Sequence, residues 1–252
     1  GQKINGRMEI EFNSSIDTLN HELEWLKQVI THRFAEYFRH SEQYSFPQAP
    51  DLRMDNSFYA SVIKRHDIDE MTRLIILIAL APHLRPAIFD IFFTKNEQFD
   101  RVFAEFGGAK CEKHNGFMPT GETAAFIIAG DNLAKRFEVQ RCFDTDYVLY
   151  RENILTLAFT NAYEPLLSGE LVISKEYLTY FTLNETFTPS FSPDFPAHRL
   201  TTKLNWDDAI FDLSVVSEIE HIRLWIEYEK EILQNNSVKR YFKSGYRVLF
   251  YG

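Results

Sequence analysis

Eight consecutive apolar residues, Leu74 to Ala81 (LIILIALA), stand in the first third of the chain. A bilayer span needs about 20 such residues, so this run is too short to cross a membrane and reads instead as a helix covered by neighbours around most of its circumference. Asp67-x-x-Glu70 opens it, and Pro82 and Pro86 punctuate the chain before another helical stretch, Ala87 to Phe93. A helix of this kind is the hub of a core and requires partners. At about 150 residues per domain, 252 residues supply one large domain or two small ones.

The first partner is legible upstream. Ile16, Leu19, Leu23, Leu26, Ile30, Phe34, Tyr37 and Phe38 recur at steps of mostly three or four, which predicts an amphipathic helix from Ile16 to Phe38. Ser14 or Ser15 is the expected cap, with Asp17 as capping-box partner. A loop follows at Ser41 to Asn56, with Pro47 and Pro50. Beyond the loop Gly107 to Thr120, Thr120 caps a short helix Glu122 to Ala129, and Asp131 or Asn132 caps another from Leu133 to about Phe143.

The pattern then changes period. Ile154 to Phe159, Glu170 to Ser174 and Tyr177 to Leu183 are short β-branched and aromatic segments, read as strands, with Leu167 to Glu170 as a turn. Short helices followed by a β-hairpin give the order of a winged helix, within an α+β, mainly helical class. Thr186 to Pro196 carries three prolines in eleven residues and reads as a linker. The expected organisation is an N-terminal helix and loop at 1–56, a winged-helix-like domain at 57–184, a Pro-rich linker at 185–203 and a further module at 204–252. In that module Val215, Ile219, Ile222, Ile226 and Leu233 mark one helix face, capped by Ser214. Ser244-Gly245 breaks the helix, and Tyr246 to Tyr251 (YRVLFY) reads as a buried strand.

Acidic residues outnumber basic ones by 36 to 27, a formal charge of −9, which gives no global attraction to nucleic acid or an anionic membrane. Cys111 and Cys142 are too few for a disulfide scaffold and fit a reducing compartment, hence the cytoplasm. No signal peptide or membrane span is visible, and Gly1 reads as the scar of a cleaved tag. Cys111-x-x-His114 has the spacing of half a zinc site, but a structural site takes four ligands and Cys142 has no ligand partner nearby in sequence. His21, His32 and His40 read as surface residues. Thr120-Gly121-Glu122-Thr123 echoes a phosphate loop but lacks its lysine and preceding strand, so a helix cap accounts for it. No motif of nucleophilic or metal-dependent hydrolysis occurs.

The last residues have a different character. A helix, a glycine break, a short apolar strand and a glycine is how a phosphate-binding strand-loop-helix module begins. GYRVLFYG (Gly245 to Gly252) resembles the strand leading into the Walker A loop of AAA+ ATPases, where the family pattern continues PPGTGKT. LNWDDAIFDLSVVSEIEHIRLWIEY (Leu204 to Tyr228) is similar to that family's N-linker and first helix. APHLRP (Ala81 to Pro86), GFMPTGETAAFIIAG (Gly116 to Gly130) and GELVISKEYLTYF (Gly169 to Phe181) resemble the amino-terminal region of a bacterial group of these ATPases with a winged-helix-like domain, some encoded beside contractile injection systems.

The resemblance implies that Ala209 and Ile210 flank the adenine of a nucleotide and that Gly252 begins its phosphate loop. It also implies a parent that binds ATP and Mg²⁺, assembles as a homo-oligomeric ring and remodels a protein substrate. The Walker A lysine, the Walker B acid, the sensors and the arginine finger are not in these 252 residues. Without them a γ-phosphate is neither neutralised nor positioned, so the expectation is a regulatory or partner-binding region without catalytic residues, metal or bound cofactor of its own. The alternative is a winged-helix DNA-binding transcriptional regulator reading DNA through Lys135, Arg136 and Arg141. Asp131 and Glu138 interrupt those cations, and a protein-docking wing is the preferred expectation.

Overall fold

A computed structural model of the chain describes residues 2–38, 45–158, 161–185, 205, 208, 210–234 and 248. The chain divides into two compact units, Gly1–Pro189 and Ser190–Gly252. It is mainly helical, with small antiparallel sheets of two strands.

In the first unit the apolar run lies in helix α3 (Glu70–Leu84), where every residue from Leu74 to Ala81 is at most 2% exposed. Its cap is Asp69, whose carboxylate accepts from the Thr72 N–H at 2.7 Å. Asp67, the expected opener, sits two residues too early at φ 49°, in the left-handed region that Asp tolerates. Pro82 does not end the helix but occupies its last turn. The chain then breaks at Arg85 into a 3-10 helix, Pro86–Phe93.

Helix α1 runs from Gln2 to Tyr37, well before the expected start at Ile16. Ser14 and Ser15 do not cap it. Ser15 is buried inside the helix and donates to Asn184 Oδ1 at 2.8 Å, and the Thr18 hydroxyl reaches Asp55 Oδ2 at 2.6 Å. Those serine and threonine hydroxyls answer to side chains across the core, not to the helix N–H groups. Leu19, Leu23, Leu26, Val29, Ile30 and Phe34 share one hydrophobic cluster with α3 and with helix α2 (Phe58–Arg65). The abundance of phenylalanine has its use here: Phe34, Phe92, Phe106 and Phe126 meet in tilted and edge-on pairs, three of them with centroids 4.9 Å apart.

After strands β1 (Lys95–Asn96) and β2 (Arg101–Val102) and the loop beyond them come helices α4 (Gly121–Ala129), α5 (Leu133–Arg141) and α6 (Val148–Arg151). Strands β3 (Leu155–Leu157) and β4 (Leu171–Ile173) pair antiparallel, Leu155 opposite Ile173. On the other edge of β4, Leu171 N donates to Pro119 O at 3.0 Å, and Thr120 pairs antiparallel with Glu170. The segment just before α4 therefore lies along β4, with β3 on its far side.

Tyr177 to Leu183 is not a strand. It belongs to helix α7 (Lys175–Leu183), capped by Ser174, whose hydroxyl accepts from the Tyr177 N–H at 3.2 Å. Helical spacing then aims Tyr180 at Phe58 (4.7 Å between centroids) and Phe181 at Tyr59 (5.3 Å). Aromatic content suggested strand; the cap and the spacing of the rings select helix.

The second unit contains helix α8 (Leu213–Gln234). It begins before Ser214, so that serine is not its cap. Ile219 and Ile222 are half-buried, whereas Val215 and Ile226 of the expected apolar face are exposed. Leu233 lies among residues whose side chains are not described, and of the expected strand 246–251 only Val248 is described, exposed. No single helix among the described residues is long and apolar enough to cross a membrane.

Candidate functional site: the outward face of α5

Helices α4 and α5 form one tightly made unit. Thr120 caps α4 reciprocally with Thr123: Thr120 N donates to Thr123 Oγ1 at 3.0 Å, and the Thr123 hydroxyl continues to Phe106 O at 2.8 Å. The phosphate-loop echo at Thr120 to Thr123 is therefore a helix cap, with all of its hydroxyls engaged. At the other end of α4, Gly130 turns the chain at φ +53°. A side chain there would drive into the Arg33 guanidinium, which donates to the Ile127 and Ile128 carbonyls at 3.0 and 3.1 Å and so closes the helix C-terminus. Burial lowers the pKa of Arg33, opposed by Glu36 and Asp131.

Asn132 caps α5, its Oδ1 accepting from the Lys135 N–H at 3.0 Å. Val139 anchors the inner face with no exposure. On the outer face Leu133 and Phe137, one turn apart, are 60% and 57% exposed. This apolar pair is flanked by exposed Ala134, Glu138 and Arg141.

The expected DNA-reading cations are differently placed. Arg136 is held by a two-pronged ion pair to Glu122, with Nη1 to Oε1 at 2.7 Å, and the hydrogen bonds it donates to Glu122 raise its pKa. Lys135 lies over the Phe46 ring at 5.6 Å. Arg141 alone of the three is exposed on α5. The face that a groove-reading helix would present thus carries two large apolar side chains, a feature the spacing of Leu133 and Phe137 signals but the cation pattern obscures.

Cys111 is exposed and Cys142 buried, both free thiols; burial pushes the Cys142 thiol pKa up. Among the described residues no group of three or more His, Cys, Asp or Glu side chains could hold a metal ion, so Cys111 and His114 gain no companion there. His21 is exposed, His32 half-buried edge-on to Phe46, and His40 lies outside the described residues. Ala209 and Gly252 also lie outside them, and Ile210 is fully exposed.

Comparison with protein-family models, with curated proteins and with solved structures finds no match.

Proposed function

We propose that this chain is the regulatory, partner-binding amino-terminal region of an AAA+ ATPase, and that α5 presents its protein-docking face. The observation that carries the reading is the order around α4 and α5: α3, the edge 119–120 along β4, α4, α5, the single turn of α6, β3, β4. That order, with β3 and β4 as the antiparallel pair of the hairpin, supports a winged helix. The apolar Leu133 and Phe137 on the would-be recognition helix support docking to protein over reading of bases, which takes polar and cationic side chains.

The attribution to a motor protein rests on the resemblance of 204–252 to the start of an AAA+ module. In that reading the parent is a cytosolic ring that binds ATP and Mg²⁺ and remodels a protein. Of the three positions assigned to the nucleotide, Ile210 is described and offers only an exposed aliphatic edge. The described residues supply no phosphate cradle, and ATP titrated into this chain is expected to give no micromolar binding.

The coding sequence beyond residue 252 decides the motor attribution. A glycine-rich loop with a lysine and a Ser or Thr is expected; a stop codon overturns it. The alternative, a DNA-binding regulator, draws on the same helix order and on Arg141. Fluorescence anisotropy of labelled duplex DNA with this chain at low salt is expected to show no binding. Retention that weakens steeply with added salt would replace docking by DNA recognition.

A further inference from the structure

A cleft of about 300 Å³ lies between α1 and the 3-10 helix 86–93, lined by no residue of α5. Its apolar lining is Ile30, Ala87, Ile88 and Ile91; Thr31, Lys27 and Arg85 supply the polar part. Across Lys27 and Thr31 a second, shallower groove of about 430 Å³ continues over α1. The cations are the informative feature. In a chain with a formal charge of −9, two of them face one apolar cleft, and among the described residues neither forms an ion pair with a carboxylate. Arg85 spends one N–H on the neutral Asn20 Oδ1, at 2.9 Å, which orients the guanidinium and leaves its other donors free.

We propose that this cleft binds a carboxylate carried on a short aliphatic chain. The carboxylate is met by the fork of Arg85 and the point charge of Lys27, and the aliphatic part lies on Ile30, Ile88 and Ile91. A bare inorganic anion leaves the isoleucines wet, and a neutral hydrocarbon leaves the cations without a counter-charge, so the two halves together select the amphiphile. The same chemistry is offered by a free fatty acid and by a polypeptide terminus ending in an aliphatic residue.

The test is a solution NMR titration of the whole chain with sodium octanoate, 1-octanol, octylammonium and N-acetyl-glycyl-leucine. Octanoate or the dipeptide is expected to shift amides of residues 27–31 and 85–91 saturably, with a Kd on the order of 1 mM for a ligand of that size. Binding should weaken as salt is added. Lys27→Gln and Arg85→Gln are each expected to weaken it by roughly threefold to tenfold. Ile91→Glu, at a 41% exposed position that tolerates a charge, should abolish it. Tighter binding of octanoate marks a fatty acid as the source, and tighter binding of the dipeptide marks a chain terminus. Equal binding of octanol and octanoate, failure of both carboxylates, or octanoate binding unchanged in the three folded variants overturns the proposal.

Discussion

Arg73 and Glu22 form a buried ion pair that joins α3 to α1: Arg73 Nε donates to Glu22 Oε2 at 2.7 Å, and Glu22 has no exposure at all. The Tyr59 hydroxyl donates to the same carboxylate oxygen at 2.8 Å, Arg73 Nη2 donates to Pro50 O at 2.8 Å, and the guanidinium stacks over Trp25 at 5.0 Å. Four segments, α1, the loop at 50, α2 and α3, thus meet on one pair of charges. Burial lowers the Arg73 pKa, but the hydrogen bonds it donates to the Glu22 carboxylate hold it above its usual value.

Removing one charge from such a pair costs more than removing both, because the survivor stays buried without its partner. Glu22→Gln is expected to cost about 3–5 kcal/mol in urea denaturation at neutral pH. Combining Glu22→Leu, Arg73→Met and Tyr59→Phe should cost less than Glu22→Gln alone. A single substitution within about 1 kcal/mol of wild type would show that the pair is hydrated, contrary to its burial.

The same tyrosine sets an alkaline limit. Burial first, and the Glu22 charge next, raise the Tyr59 pKa well above 10.0; burial raises that of Tyr147 to about 12. A folded-state pKa above the unfolded one means that the contribution is complete below the unfolded value and is lost as pH rises from there towards the folded value. Stability is therefore expected to fall from about pH 10 upward. Tyr59→Phe should lower stability at neutral pH, through the lost bond to Glu22, yet flatten the alkaline limb. Urea midpoints between about pH 8 and about pH 11 measure both effects; an alkaline slope unchanged by Tyr59→Phe would assign the limit to other groups.

Gly130 and Arg33 are expected to be coupled. Gly130→Ala places a methyl 2.9 Å from Arg33 Cζ at a φ that L-residues rarely adopt, an expected loss of about 1–3 kcal/mol. Arg33→Lys retains the charge but cannot serve the Ile127 and Ile128 carbonyls with a planar fork, and one buried carbonyl left bare costs about 1–3 kcal/mol. Since Gly130→Ala already displaces the guanidinium, the double variant should lose less than the sum. An additive cycle would mean that the side chain at 130 never reaches Arg33.

Sequence periodicity carried as far as local rules decide the outcome. Thr120 is legible as a cap, and the second cap narrows to Asp131 or Asn132, because each stands just before a short helical segment, and the buried run at Leu74 to Ala81 fits a covered helix. Ser14 misled because a serine before an apolar period looks like a cap whether its hydroxyl turns to the backbone or, as Ser15 does, to Asn184 far along the chain. Tyr177 to Leu183 misled because its aromatic residues favour strands in general, while Ser174 and the ring contacts of Tyr180 and Phe181 are specific to this packing. The candidate docking face was illegible for a related reason. Leu133 and Phe137 look like core residues until Val139 is seen to take that role and leave them outside.

That division of α5 gives the sharpest contrast between support and use. Leu133→Ser with Phe137→Ser alters two exposed positions away from the caps, and the pair is expected to change stability by no more than about 0.5 kcal/mol per site. It should also reduce the fluorescence of a hydrophobic dye bound to the native chain, because the exposed apolar pair is gone. Phe126→Ala, on α4 and 3% exposed in the aromatic cluster, should cost about 3–5 kcal/mol while leaving native-state dye binding unchanged. If the two serines destabilise the chain as severely as Phe126→Ala does, then Leu133 and Phe137 are packed against the protein itself. The outer face of α5 would then be unavailable to any partner.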